Sequence, residues 1–341
     1  MTALLIWGLF FIPNLDKIPF MQMTPSPPGM IRSFDVARDG EAVADLIEDA
    51  FALKNDPDGQ FVLVQMRENA RKFKEANWVP PPGTMLGFVW EVEGKLAGNI
   101  SLIPHSHAGA KLHLIANVAV APDFRGQGIA KALTSHALQY SRKVGAREVW
   151  LQVKRENDAA IGMYTHLGFE QDHCLDVWKK EARLALKDPN LSLPLSGARE
   201  IRNRVLADWK LQKEWLERNY PPATRWYSPM EFGNFSPRAW LDPMRWLNLM
   251  ALIHHSLCAD GELAAVLSCQ RTALRTDNLY LALPESPAED ENAEVLLRYF
   301  LQESWSGKPL TAEYPAGRAA RGFENAGFRL ARTLLWMRIK I

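Results

Sequence analysis

The chain has 341 residues, 47% of them hydrophobic and 23% charged, a composition that fits a folded globular protein of about two domains. Forty basic residues against thirty-nine acidic ones leave a formal charge of +1, which offers no field for neutralising phosphates and argues against nucleic-acid binding as a main function. Cys174, Cys258 and Cys269 form no CxxC spacing, so they predict neither a disulfide framework nor a zinc site and fit a reducing, cytoplasmic setting.

Leu4 to Ile12 is apolar but shorter than the roughly 20 residues that cross a bilayer, and it lacks the basic start and cleavage site of a secretory signal. With the proline-rich stretch Met21 to Met30 behind it, residues 1–29 are expected to be a flexible extension without membrane attachment. From Met30 the pattern becomes regular. A strand over Met30 to Val36 is followed by helices over Asp39 to Phe51 and Gln60 to Ala76, the second closed by Trp78-Val-Pro-Pro-Pro-Gly83. Strands over Thr84 to Val92 and Lys95 to Ile103 meet at Glu93-Gly94, a hairpin signal. A strand from His113 to Val120 stops at Ala121-Pro122. Next come a glycine-rich turn and a helix from Ile129 to about Val144, whose inner face reads Ile129, Ala132, Leu133, His136, Ala137 and Tyr140. A strand over Glu148 to Val153, a helix over Ala159 to His166 and a strand over Phe169 to Trp178 complete an α/β domain of mixed sheet over residues 30–187.

Asp188 to Gly197 reads as a linker, and residues 198–341 as a second domain that opens with an amphipathic helix over Ile201 to Arg218. The plan of the first half then returns. Asp260-Gly-Glu-Leu-Ala-Ala265 echoes Glu93-Gly-Lys-Leu-Ala-Gly98, Leu279 to Pro284 echoes Val118 to Pro122, and Glu324-Asn-Ala-Gly-Phe328 echoes Thr165-His-Leu-Gly-Phe169. Such ordered repetition predicts an internal duplication.

Arg125-Gly126-Gln127-Gly128-Ile129-Ala130 lies between a strand and a helix. Two glycines there let backbone N–H groups converge, and the helix N-terminus adds about half a positive charge, so the turn suits a pyrophosphate. Val118 to Ala130 resembles the Arg/Gln-x-x-Gly-x-Gly/Ala signature of the GNAT superfamily of N-acyltransferases, with Arg125, Gly128 and Ala130 at its fixed positions. Asn157 to Phe169 resembles the superfamily's second hallmark. The likeness covers residues 30–185 in detail and 250–341 in outline, and tandem folds of this kind occur in the superfamily.

The resemblance implies acyl-CoA, most often acetyl-CoA, as co-substrate, with no metal. Its pyrophosphate would rest on the amides of Arg125 to Ala130, its pantetheine arm would pair with the backbone at Val118 and Val120, and Asn157 would contact that arm. Tyr164 would be the catalytic acid that protonates the leaving thiolate. An amine acceptor, small molecule or peptide, would attack the thioester directly, and a homo-oligomer is compatible with the sequence. Many members carry a glutamate on the strand before the signature, whereas His113 to Val120 has no carboxylate; His113, a water held by Asn117, or Glu91 could take its place. The alternative is a non-catalytic acyl-CoA-binding regulatory module.

Where the second glycine loop belongs, Pro284 to Glu294 has no glycine and five carboxylates. Aligning Gly327-Phe328 with Gly168-Phe169 puts Phe323 at the Tyr164 position and Ala316 at the Asn157 position, so the second copy is expected to bind no CoA. His105 and His107 share a strand face without a third ligand, His254 and His255 should face opposite ways, and Trp226, Trp240 and Trp246 are cleft or core candidates.

Overall fold

In the computed structural model the described residues are 29–75, 86–107, 109–182, 199–220, 232–237, 252–272 and 275–341. The apolar start at Leu4 to Ile12, the Trp78 to Gly83 turn, the Asp188 to Gly197 linker and Trp226, Trp240 and Trp246 lie outside them. Contacts divide the chain into two units, Met1–Val153 with Asn157–Asp172 and Trp336–Ile341, and Lys154–Glu156 with His173–Leu335.

The first unit begins with an ion pair. Strand β1 (Met30–Ser33) pairs antiparallel with β2 (Gly87–Val92), and helix α1 (Val36–Ala50) follows β1 directly. Arg32 grips Asp39 in the first turn of α1 by two bonds of 2.6 and 2.8 Å, and Asp39 accepts the Asp35 amide at 2.9 Å. Asp35 caps the helix by accepting from the Arg38 amide. α1 and α2 (Pro57–Glu75) cover one sheet face through Val43, Ala44, Ile47 and Leu63, packed with Val89.

β2 turns into β3 (Lys95–His107) through Glu93 and Gly94, both at positive φ (49° and 78°), the conformation a two-residue hairpin needs. β4 (Ala110–Val120) runs antiparallel to β3, and β5 (Glu148–Lys154) runs parallel to β4. Helix α3 (Ile129–Lys143) covers the other face with Ile129, Leu133, Ala137 and Tyr140 buried, as its spacing predicts. It sits close to the sheet because Gly98 has no side chain: a Cβ there would stand 3.0 Å from Ile129 Cγ2 and 3.1 Å from Leu133 Cδ1. α4 (Asp158–His166) and the start of β6 (Glu170–Lys180) follow. Beyond β5 this unit takes in residues 336–340 of β12 (Arg329–Lys340), whose Trp336 lies edge-on to Trp150 at 6.1 Å.

The second unit repeats this plan with one correction to the expected elements. Ile201 to Arg218 is not a single helix. β7 (Arg199–Asn203) pairs antiparallel with β8 (Leu252–Ala259), and only Trp209–Asn219 forms helix α5. The reason is the motif that opens the first unit: Arg202 grips Asp208 by bonds of 2.7 and 2.8 Å, and Asp208 accepts the Val205 amide, fixing the bend between strand and helix. β9 (Glu262–Gln270), β10 (Asp277–Ala282), α6 (Glu289–Glu303), β11 (Leu310–Pro315) and α7 (Ala320–Asn325) then follow in the order of β3 to α4. The β8–β9 turn again places a non-glycine and a glycine, Asp260 and Gly261, at positive φ. The core of this unit gathers Leu279, Leu281, Leu296, Phe300, Tyr314 and Phe323, with residues 175–180 of β6 paired antiparallel to β11. The sequence is thus an α/β tandem whose halves share one architecture.

Candidate acyl-CoA site

Parallel pairing of β4 with β5 runs only from Leu112↔Glu148 to Ile115↔Leu151. Beyond it β4 continues beside β3 alone, and the cause is local. The β3–β4 register slips between Asn99↔Ala119 and Ser101↔Ala116, so that Asn117 and Val118 together oppose Ile100. This is a β-bulge, which bends the strand and increases its twist. Asn117 takes φ 52°, a left-handed conformation that asparagine tolerates better than most residues. Buried Asn99 donates to the Asn117 carbonyl at 3.0 Å, and the Asn117 amide donates to Ser101 Oγ at 3.2 Å. Asn99 and Ser101 are missed by sequence reasoning, because a bulge depends on the register between two strands.

The Ala121 amide donates to Ala97 on β3, so by antiparallel alternation the N–H and C=O of Val120 point away from β3, to the edge that β5 has left. The Arg125 Nε donates to that Val120 carbonyl at 3.1 Å, bracing the turn against the strand. A single 3-10 turn at Pro122–Phe124 leads into the loop, where Gly126 and Gly128 adopt φ 76° and 82° and Gly128 caps α3. Among the described residues the N–H groups of Gly126, Gln127, Gly128, Ile129 and Ala130 have no hydrogen-bond acceptor. Unpaired amides at a helix start form an anion site, and a Cβ built on either glycine meets open space within 4 Å. The Ile129 side chain is buried in the core, so its contribution to such a site is backbone only.

β4 and β5 run parallel, so the loops that leave their C-terminal ends emerge side by side, where ligands of α/β sheets gather. α4 begins there. Asn157 is its N-cap, its carboxamide oxygen accepting the Ala160 amide at 3.1 Å, which leaves its NH2 group for another partner. About two turns on, Tyr164 is buried with its ring edge-on to Phe169 at 5.7 Å. Desolvation pushes its phenol up to about 12, and its hydroxyl has no hydrogen-bond partner among the described residues. Val118, Val120, Arg125 to Ala130, Asn157 and Tyr164 therefore all fall in one unit.

The three stand-ins for a carboxylate base are placed differently. His113 is buried against α3: its Nδ1 meets Ser141 Oγ at 2.7 Å, and Ser141 donates its own proton to the Ala137 carbonyl, so Nδ1 carries the hydrogen. Burial, then the charges of Lys111 and His105, hold its pKa down to about 4. Glu91 is engaged by Arg32 and Arg38, each at 2.6 Å. Asn117 spends its amide on Ser101 and keeps its carboxamide oxygen.

The corresponding place in the second unit is filled from within. The β9–β10 register is unbroken from Asn278↔Gln270 to Ala282↔Val266, so the bulge is gone. Asn219 of α5, fully buried, donates toward the carbonyls of Leu281 and Leu283 and to Tyr314, while the Tyr220 hydroxyl donates to the Glu313 carbonyl at 2.8 Å. At the start of α6, where the first unit leaves amides open, Glu289 accepts from Tyr314 at 2.7 Å and pairs with Arg318 at 2.7 Å. Phe323 meets Phe328 at 5.7 Å and stacks on Trp178. Its geometry repeats that of Tyr164 with Phe169, without the hydroxyl. His254 and His255 face opposite ways, toward Ser268 and Ser304. Among the described residues no group of three or more His, Cys, Asp or Glu could hold a metal, and no helix is long and apolar enough to cross a membrane.

A parallel strand pair that parts at a bulge, beside an open helix N-terminus, offers a seat for an anionic ligand. Residues 47–169 match the acetyltransferase (GNAT) family. An acetyltransferase of Pectobacterium atrosepticum is 37% identical over 95 residues, 28% of this chain and 64% of the relative. A mycothiol acetyltransferase of Actinosynnema mirum is 30% identical over 179 residues, 51% of this chain and 52% of the relative. The chain thus spans only about half to two thirds of these relatives. A GCN5-related N-acetyltransferase of Sphaerobacter thermophilus superposes with a TM-score of 0.57 at 16% identity, over 91% of this chain and 95% of that one, a likeness of fold across both halves.

Proposed function

We propose that the protein transfers an acyl group, acetyl in the first instance, from acyl-CoA to a primary amine by direct attack of the amine on the thioester. The observation that carries this reading is the open set of amides from Gly126 to Ala130 next to a β4 edge freed by the Asn117 bulge. Those amides and the α3 N-terminus suit the pyrophosphate. The edge at Val118 and Val120 suits the amide-bearing pantetheine arm, with the free NH2 of Asn157 as a further donor.

Catalysis in this reading rests on proximity and on charge stabilisation. Holding amine and thioester together removes much of the entropic barrier, and backbone donors polarise the carbonyl. The neutral amine forms the C–N bond and sheds a proton to water; breaking the C–S bond expels a thiolate, to which Tyr164 gives its proton before water restores the phenol. A phenol that burial keeps protonated is suited to that step. Names of relatives, among them a ribosomal protein bS18-alanine N-acetyltransferase of Escherichia coli that is 42% identical over 55 residues, support an amine acceptor without selecting one.

A thiol-release assay with acetyl-CoA across a panel of primary amines tests the proposal, with calorimetry of acetyl-CoA alone beside it. Release of CoA with at least one amine is expected, and Arg125→Glu should weaken acetyl-CoA binding about tenfold or more by placing a carboxylate at the anion site. The lack of a carboxylate on β4 favours one other reading, a regulatory module that binds acyl-CoA without turnover. Acetyl-CoA binding with no CoA release from any amine would select it.

A further inference from the structure

The second unit holds a carboxyl group that its own architecture leaves unused. β10 and β11 pair in parallel only from Asp277↔Leu310 to Leu279↔Ala312, so Glu313 is the first β11 residue past the last pair. Tyr314 points toward α6, where it meets Glu289, and alternation turns Glu313 to the opposite face. The backbone carbonyl of Glu313 accepts the Tyr220 hydroxyl, yet its carboxylate has no hydrogen bond or ion pair among the described residues. Part of the residue stays open, while the protein around it is dense enough that desolvation raises its pKa against the single opposing charge of Arg332. A carboxyl that is partly exposed and yet desolvated is an arrangement that structural ion pairs do not need.

Arg332 shares that face. Thr333 donates to Asp176 at 2.5 Å, and Asp176 pairs in register with Tyr314, so alternation along β12 turns Arg332 to the side of Glu313. β6 runs between the two strands and presents buried Val177, the register partner of Glu313. Strands lie about 4.8 Å apart, which sets the backbones that carry the anion and the cation about 10 Å from each other across an apolar floor. Arg332 likewise has no hydrogen bond or ion pair among the described residues. Two opposite charges on one sheet face, neither paired among the described residues, complement a ligand that carries both.

We propose that Glu313 and Arg332 form a binding site for a small zwitterion, an amine that also bears a carboxylate. The ligand's ammonium donates to Glu313, its carboxylate accepts from Arg332, and its carbon chain rests on Val177. This goes beyond the acyltransfer reading, because every residue of the site lies in the second unit. It also gives the second unit a task after its own acyl-CoA site has been filled from within.

Calorimetry on the full chain without acyl-CoA tests the site. Alanine, β-alanine and 4-aminobutyrate place one, two and three carbons between the charges; alanine amide and propionate each lack one of them. At least one zwitterion should bind, with both controls about tenfold or more weaker. Glu313→Gln and Arg332→Gln should each weaken that zwitterion about tenfold or more while acetyl-CoA binds as before. Glu313→Gln should also keep or raise the melting temperature, since it removes an unpaired desolvated charge. Absence of binding by all three zwitterions, or unchanged binding in either variant, overturns the proposal. Failure of acetyl-CoA to bind the native chain overturns the acyltransfer reading instead, and the zwitterion result stands apart from it.

Discussion

Tyr164 sets its ring edge against Phe169 and holds a phenol whose pKa burial lifts to about 12. An acid of that strength stays protonated throughout the neutral range and loses its proton only as pH rises toward that value. Tyr164→Phe keeps the ring contact and removes the hydroxyl proposed as proton donor, so kcat should fall about a hundredfold while acetyl-CoA affinity holds, as stopped thiol-release assays and calorimetry would show. The same hydroxyl predicts no basic limb in kcat below about pH 10 that the Phe variant abolishes. His113 makes a prediction about stability. In the unfolded chain it takes up a proton near pH 6.5, in the fold only near pH 4. Its neutral, buried form therefore contributes full stability above pH 6.5, and that contribution is lost as pH falls toward 4, roughly 3 kcal/mol in all. Urea midpoints across that window should slope less in His113→Gln than in the native chain.

At the scale of elements, the glycine turn, α3 and the run from Asn157 to Phe169 were legible because each is a local pattern: two glycines before an amphipathic helix, a capping asparagine, a glycine before the next strand. What bends β4 was not legible. The bulge at Asn117 needs Asn99 and Ser101 from β3, and nothing in β4 alone announces the slip. The apolar spacing from Ile201 to Arg218 is continuous and reads as helix through β7; the recurrence of Arg32 with Asp39 in Arg202 with Asp208 is the signal that separates strand from helix. The plug in the second unit was equally hidden, since Asn219 lies 62 to 95 residues from the groups it bonds. Asn219→Ala should leave buried carbonyls without donors and lower stability by about 2–3 kcal/mol in urea titrations. Acetyl-CoA affinity should not change, because the plug belongs to the unit without the open glycine loop.

For the whole molecule, two units share one order of elements and differ where the candidate site stands. One half keeps the bulge, the glycines and the tyrosine; the other replaces them with a continuous strand, Glu289 and Phe323. Calorimetry should therefore find one acetyl-CoA per chain, and affinity should fall with added salt as expected for an anion held at a helix start. The membership of the first unit carries a consequence for how the protein is made. Residues 336–341 belong to that unit, with Trp336 against Trp150 and the Ile341 amide bonded to the Arg147 carbonyl at 3.0 Å. A ribosome delivers them only after every residue of the second unit. Until then the outer edge of β5 stands uncovered, a place where strands of other chains can add. Nascent chains should accordingly be in greatest need of chaperones once β5 has emerged, and that need should last until residues 336–340 of β12 can cover its edge.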